Sequence, residues 1–375
     1  MNTLSGKPIR VLCVFGSLDR GGAETMCMNL LRNIDRSKVI FDFVKHTERE
    51  GAYEKEIKGL GGRIYTCPPL RVKNYFEYVK WWRRHFINHT EHYIVHGHMF
   101  TTAGLYFKEA HRLGRKTIGH SHCANTNQAQ SGRNVMELFV RQKLRDMVTI
   151  YSDYRFACSF EAGQLLFPHD KFEVVPNAID SAQFLFDPCK RNRIRTEFSI
   201  NDDCRLLAVV GRISEEKNPL GIIKLCRIIE SKNNNWKLLW CGSGEMKDIV
   251  EEKIYDYGLN NHIILAGVRS DIPDILQAAD MFLMPSLFEG LPVAAIEAQA
   301  AGIPCFCSNS ISSEVQITEM CHLLPIGDWE LWASCILNEP IKRVNTQKQI
   351  IDAGFDVHET AKRLQDFYLR VAAGD

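Results

Sequence analysis

RLLAVVGRISEEKNP (205–219) decides the fold. Its apolar run from Leu206 to Val210 reads as a buried strand, Gly211 ends that strand, and Pro219 opens a helix after a polar loop. Downstream the same order recurs in WKLLWCG (236–242), HIILAG (262–267), MFLMPS (281–286) and PCFCS (304–308). Upstream it appears in IRVLCVFG (9–16), FDFVKH (41–46), RIYTCP (63–68), YIVHGHM (93–99), KTIGHSH (116–122) and RFACS (155–159). Amphipathic stretches at 23–34, 53–60, 74–89, 102–113 and 133–151 separate the upstream runs. Strand-length runs alternating with helix-length segments predict parallel sheets with helical crossovers. The pattern restarts after FEVVPNAID (172–180), so the chain is expected to be α/β, with two Rossmann-like domains facing across a cleft. The expected limits are 1–185 and 186–357, followed by a terminal helix over 358–375 whose return to the first domain periodicity leaves open.

The composition fits that plan. The 375 residues are 45% hydrophobic and 24% charged, long enough for two cores. With 46 basic against 45 acidic side chains, a nucleic-acid-coating role is excluded, because it needs a large basic excess. The balance is uneven along the chain: residues 1–180 hold 26 basic and 18 acidic side chains, and the remainder 20 and 27. The apolar run from Ile9 is too short for a secretory h-region, and ILQAADMFLMPSLF carries Asp280 at its middle, so neither a signal nor a membrane span is expected. Thirteen cysteines without C-x-x-C spacing, several of them in predicted strands, read as buried thiols of a reducing cytoplasm.

Four stretches carry residues suited to chemistry. In PSLFEGLPVAAIEAQAAGIP (285–304), Pro292 suits the first turn of a helix that Gly302 and Pro304 end. Gly290 and the Leu291 amide would approach a ligand closely, and the unpaired amides of the helix end would favour a phosphate there. Glu289 precedes that helix and can be a dipole complement, whereas Glu297, inside an Ala-rich helix, suits a ribose diol. Arg212 and Lys217 follow the strand at Gly211 and match the charge of a diphosphate; the alternative is a solvated loop neutralised by Glu215 and Glu216. GSLDRGGAE (16–24) is not the dinucleotide G-x-G-x-x-G fingerprint, which disfavours a nicotinamide enzyme, yet Gly21 and Gly22 permit close backbone approach. His96, His98, His120 and His122 recur with period two, so a histidine metal site is conceivable if their strands are adjacent. No carboxylate accompanies them, and no D-x-D pair occurs in the chain, so no metal is expected.

Taken in order, GSLDRGGAE, HSH, VPNAID, GRISEEKNP, CGSGE and FEGLPVAAIEAQAAGIP resemble the family-4 retaining glycosyltransferases of the GT-B fold, along the whole chain. The likeness is to bacterial transferases that build capsular polysaccharide or exopolysaccharide. It implies a nucleotide-sugar donor, with uridine diphosphate the expected carrier, a glycan or lipid-linked acceptor, retention of configuration and no metal. By that resemblance His120, Arg212, Lys217 and Glu289 are catalytic, with His122 the competing histidine. Gly22, Gly211, Val268, Arg269, Gly290, Leu291, Pro292, Val293 and Glu297 would bind the donor, the base being read by main chain at Val268 and Arg269. A nucleotide-sugar epimerase, a phosphorylase and a non-catalytic partner protein are the competing readings. The site residues fit them less well.

RVKNYFEYVKWWRRHFINH (71–89) mixes Lys73, Lys80, Arg83 and Arg84 with aromatic residues, and RNVMELFVRQKLRD (133–146) is a second basic amphipathic stretch. One reading makes Phe76, Val79 and Phe86 the core stripe of an ordinary helix. The other sends this face to an anionic membrane surface, giving a cytoplasmic protein peripheral on the inner membrane face, with no nucleic-acid partner.

Overall fold

The computed structural model describes residues 7–122 and 135–374. Among these, thirteen strands form two wholly parallel sheets. The first contains β1 (Ile9–Val14), β2 (Val39–Lys45), β3 (Ile64–Thr66), β4 (Ile94–Gly97), β5 (Lys116–Ser121), β6 (Tyr154–Ala157) and β7 (Glu173–Val174), in the order β3-β2-β1-β4-β5-β6-β7. The second contains β8 (Arg205–Val210), β9 (Trp236–Cys241), β10 (Ile263–Gly267), β11 (Met281–Met284), β12 (Cys305–Ser308) and β13 (Cys321–Leu324), in the order β10-β9-β8-β11-β12-β13. Each sheet winds outward from one strand and then returns to the other side. The order therefore reverses between β1 and β4 in the first and between β8 and β11 in the second, the places where open α/β sheets bind ligands.

Both faces of the first sheet are covered. On one, Val11, Cys13 and Phe15 pack with Leu30 and Leu31 of the helix Gly22–Asn33 and with Leu364, Tyr368 and Val371 of the helix Val357–Ala373. On the other, Leu12 and Val14 pack with Tyr78, Trp82 and Phe86 of the helix Tyr75–Asn88. In the second sheet Leu207, Val209, Leu238 and Trp240 meet Ile222, Cys226 and Trp332. Each large apolar side chain so enclosed contributes about 1.5–3 kcal/mol.

Contacts divide the chain into Met1–Ile179 with Asp356–Asp375, and Asp180–Phe355. The segment 180–185, expected with the first domain, falls in the second unit. Its 3-10 turn Ser181–Phe184 is fastened there by buried Gln277, whose Nε2 donates to the Gln183 carbonyl at 3.0 Å and whose Oε1 accepts from the Asp187 amide at 2.7 Å. The terminal helix lies on the first sheet. Asp356 caps it by accepting from the His358 and Glu359 amides, and the Val357 amide donates to the Ile179 carbonyl.

The helix Tyr75–Asn88 matches the expected stripe in part: Phe86 is buried and Val79 half-buried, but Phe76 is not. Tyr78, Trp82, His85 and Phe86 are buried, while Phe76 is 84% exposed. Two apolar stripes compete in this segment, and the one carrying Trp82 buries the larger area. The paired tryptophans therefore do not form an interfacial face. The second basic stretch starts at 133–134, outside the described residues, and continues into the helix Val135–Tyr151.

Candidate active site

The site grows from the loops that leave β8 and β11, neighbours at the point where the second sheet reverses. Gly211 ends β8 at φ +151° and Gly242 follows β9 at φ +154°; a Cβ on Gly242 would stand 1.8 Å from the Gly211 carbonyl oxygen. No side chain fits there, so both strands can end flush.

The two loops are tied to each other. Asn218, in the left-handed region at φ +55°, accepts from the Gly221 amide at 3.2 Å to cap the helix Pro219–Lys232. Its Nδ2 donates to the Pro285 carbonyl at 3.1 Å, and the Leu287 amide donates to the Glu216 carbonyl at 2.8 Å. Those bonds bring Lys217 onto Glu289 in an ion pair, with the Ser286 hydroxyl donating to the same carboxylate at 3.4 Å. Arg212 is exposed and makes no ion pair among the described residues. A free guanidinium and an ammonium held by one carboxylate leave this loop pair attractive to an anion.

Gly290 and Leu291 lead into the helix Val293–Ala300, whose N-cap is Pro292, one position earlier than its expected place in the first turn. No side chain caps that end, so its amides remain available to a ligand. Glu297 lies farther along the same helix, partly buried, and burial pushes its carboxyl up to about 7. A carboxyl kept from water without a cation is one that a hydroxyl-rich ligand can satisfy.

Val268, 71% exposed, follows β10 at the sheet edge. Arg269 beside it is engaged elsewhere: its guanidinium donates to Asp271 at 2.8 and 2.9 Å and to Glu197 at 2.7 Å. Any contact to a base at this turn falls to main chain. In the first unit Gly22 opens a helix, and a Cβ there would meet only Asn177 Nδ2, at 3.9 Å. His120 is 1% exposed within β5, whereas His122 lies one residue past the strand and is half-buried. Sequence reasoning missed Asn218 and Ser286. The Asn-Pro pair at 218–219 was the available signal for the first, and nothing marked the second.

The architecture, two Rossmann-like parallel sheets in one chain, is the GT-B fold of glycosyltransferases. Anabaena HepE, solved in complex with UDP, superposes with a TM-score of 0.78 at 16% identity, over 97% of this chain and all of that one. Residues 190–333, which include the site above, match the family described as "Glycosyl transferases group 1". The chain is 29% identical to the putative glycosyltransferase EpsF of Bacillus subtilis over 96% of each chain. It is also 25% identical to the UDP-Gal:alpha-D-GlcNAc-diphosphoundecaprenol alpha-1,3-galactosyltransferase of Escherichia coli, over 74% of this chain and 75% of that one.

Proposed function

We propose that the protein is a family-4 retaining glycosyltransferase that moves a sugar from a UDP-sugar to a glycan or lipid-linked acceptor in polysaccharide biosynthesis. The observation that carries this is the pair of tied loops at the β8/β11 reversal, with Arg212, Lys217 and an uncapped helix end all available to one diphosphate. The names and titles of the similar proteins support the class: EpsF is called a glycosyltransferase, the galactosyltransferase is named for a UDP-sugar and a diphospholipid-linked acceptor, and HepE was solved with UDP.

In this reading Glu297 accepts from the ribose diol and main chain at Val268 and Arg269 meets the base. The diphosphate takes Lys217 from Glu289, which frees that carboxylate for the donor sugar's hydroxyls. As the C1–O bond loosens, Arg212, Lys217 and the amides of Gly290, Leu291 and Val293 stabilise the charge that grows on the leaving group. The acceptor hydroxyl attacks from the leaving-group face and passes its proton to a departing phosphate oxygen. No divalent ion is required at the diphosphate, because two cations and a helix end supply the positive charge. Gly22 lets the first unit's backbone approach the donor. His120, with His122 the alternative, would meet the donor sugar; each keeps one buried ring nitrogen without a partner.

Membrane association belongs to the same proposal. No described helix is long and apolar enough to cross a membrane. Exposed Val72, Phe76, Lys73, Lys80 and Arg84 nevertheless present a basic, partly apolar face suited to anionic lipid. The test of the whole reading is turnover of a panel of nucleotide-sugars in EDTA, with the anomeric configuration of the product read by NMR. Retention with one UDP-sugar is the expected result; inversion, or activity that needs added magnesium or manganese, contradicts it.

A further inference from the structure

Crossover helices of a parallel sheet all start at the carboxyl ends of its strands. The helices Tyr75–Asn88, Ala103–Arg112, Val135–Tyr151 and Phe160–Leu166 follow β3, β4, β5 and β6 in this way. They cover one face of the first sheet, where Trp82, Phe107, Val148 and Leu166 are buried together. Among the described residues of this unit ten large apolar side chains are well exposed, and eight of them stand at the starting ends of these helices. Val72, Tyr75 and Phe76 open the first helix. Met136, Leu138, Phe139 and Val140 lie in the first two turns of the third, and Phe160 is the first residue of the fourth. The other two, Ile87 and Ile150, sit at the far ends of the first and third helices. Singly exposed apolar residues are ordinary, but eight gathered at one end of a helix layer form a patch that needs a partner.

Positive charge lies just behind that patch. The helices Tyr75–Asn88, Ala103–Arg112 and Val135–Tyr151 carry three, two and three Lys and Arg side chains, eight in all, against one, one and two acids, four in all. At about 1.5 Å per residue, Lys80 and Arg84 stand roughly 6 and 12 Å along the axis from Phe76, and Lys143 roughly 6 Å from Phe139. A groove of about 540 Å³ between the first two helices sets Phe76, Val79 and Leu105 beside Lys80 and Lys108, which enter no ion pair among the described residues. The acid in that groove, Glu109, is buried and held by Arg83 at 3.0 Å and Arg112 at 2.9 Å, so the groove keeps a surplus of positive charge.

We propose that the first unit docks end-on against an anionic lipid bilayer, with the starts of these helices set into the interface and the headgroup phosphates on the cations behind them, those of the groove included. Interfacial apolar groups sink roughly 5–10 Å past the headgroup boundary, a depth at which Lys80, Arg84 and Lys143 reach the phosphate layer. Packed helices stand about 8–10 Å apart, so the patch is roughly 20 Å wide across the first three, too broad for one lipid chain and suited to a surface. An end-on pose needs no apolar stripe along the helix Tyr75–Asn88, whose stripe of Tyr78, Trp82 and Phe86 is already spent on the core. The inference rests on the membrane association proposed above and decides between the two acceptors named there. Ligands of an open α/β sheet bind beyond the carboxyl ends of its strands. With that end of the first sheet on the bilayer, the acceptor is the lipid-linked one.

The test replaces Phe76, Phe139, Ile87 and Ile150, one at a time in the full chain, by the photo-crosslinking residue p-benzoylphenylalanine. Each protein is irradiated on vesicles of phosphatidylcholine with phosphatidylglycerol, and lipid adducts are read by mass spectrometry of the peptides. Adducts should form at positions 76 and 139 and be at least tenfold fewer at 87 and 150, the far ends of the same two helices. Phe76→Ser with Phe139→Ser should weaken vesicle binding tenfold or more, whereas Ile87→Ser with Ile150→Ser should leave it unchanged. All four side chains are exposed, and circular dichroism reports folding; if a serine pair fails to fold, the adduct pattern decides alone. Equal adducts at 76 and 87 mean a helix lying flat and overturn the proposal. So do bound protein without adducts at 76 and 139, and undiminished binding by the folded Phe76→Ser with Phe139→Ser variant. No binding to the anionic vesicles overturns both this proposal and the membrane association beneath it, while UDP binding by the same protein reports separately on the transferase reading.

Discussion

Glu297 is the residue whose chemistry differs most from its surroundings. Its carboxyl is raised from an ordinary 4.5 to about 7 by burial, so between those values the native state holds a proton that the unfolded chain has released. This group's contribution to stability is therefore full below about 4.5 and falls as pH rises toward 7. Hydrogen bonds from a ribose diol favour the ionised form. UDP affinity should thus rise with pH through 7 and binding should release a proton, seen in calorimetry as a buffer-dependent heat. Glu297→Gln should remove the proton release that depends on this residue and lower affinity about tenfold, as expected for one lost charge-assisted bond. Arg212→Ala and Lys217→Ala should each lower turnover a hundredfold or so while urea midpoints stay near wild type, because they act on charge that grows in the transition state. Unaltered turnover in both variants would remove them from the site. The spacing of Glu289 and Glu297 and the pair of cations after β8 were legible in the sequence. The Lys217–Glu289 ion pair, across 72 residues, and the Tyr368–His96 contact, across 272, were not, because periodicity carries no information on tertiary partners.

Strands with long apolar runs, such as Leu206–Val210 and Trp236–Cys241, were plain from pattern alone. β7 and β13, of two and four residues, are too short to establish a period and gain their place from pairing with β6 and β12. The helix Tyr75–Asn88 was legible as a helix but not in its rotation, since only packing chose Trp82 over Phe76. Loop geometry lay further from reach: Asn218 joins two strand ends through side-chain bonds that no local motif announces. Asn218→Ala should cost roughly 1–2 kcal/mol through the lost cap, read by urea denaturation. The same change should depress donor affinity as the Lys217 loop loses its tie to Pro285. Asn218→Gly, which keeps the left-handed backbone, should recover part of the stability and none of the affinity. Equal affinity in all three proteins would separate the loop tie from donor binding.

The division of the chain into two halves was readable from the charge asymmetry and the restart of the strand pattern, but the division at 179/180 required the buried contacts of Gln277. The first unit's basic surface makes its own prediction. Anionic vesicles should retain the protein at low salt and release it at high salt, because surface cations act through screened charge. Lys80→Glu with Arg84→Glu should abolish retention, whereas equal binding to neutral vesicles would argue against an anionic partner. Arg83 is a poorer choice for that test, since its guanidinium is already paired with Glu109. The central claim, that the loops after β8 and β11 hold a nucleoside diphosphate, is tested most directly by calorimetric titration of UDP into the full chain and into Lys217→Ala. The account predicts one site per chain in the wild type and at least tenfold weaker binding in the variant; no binding to the folded wild type, or equal affinity in both, would contradict it.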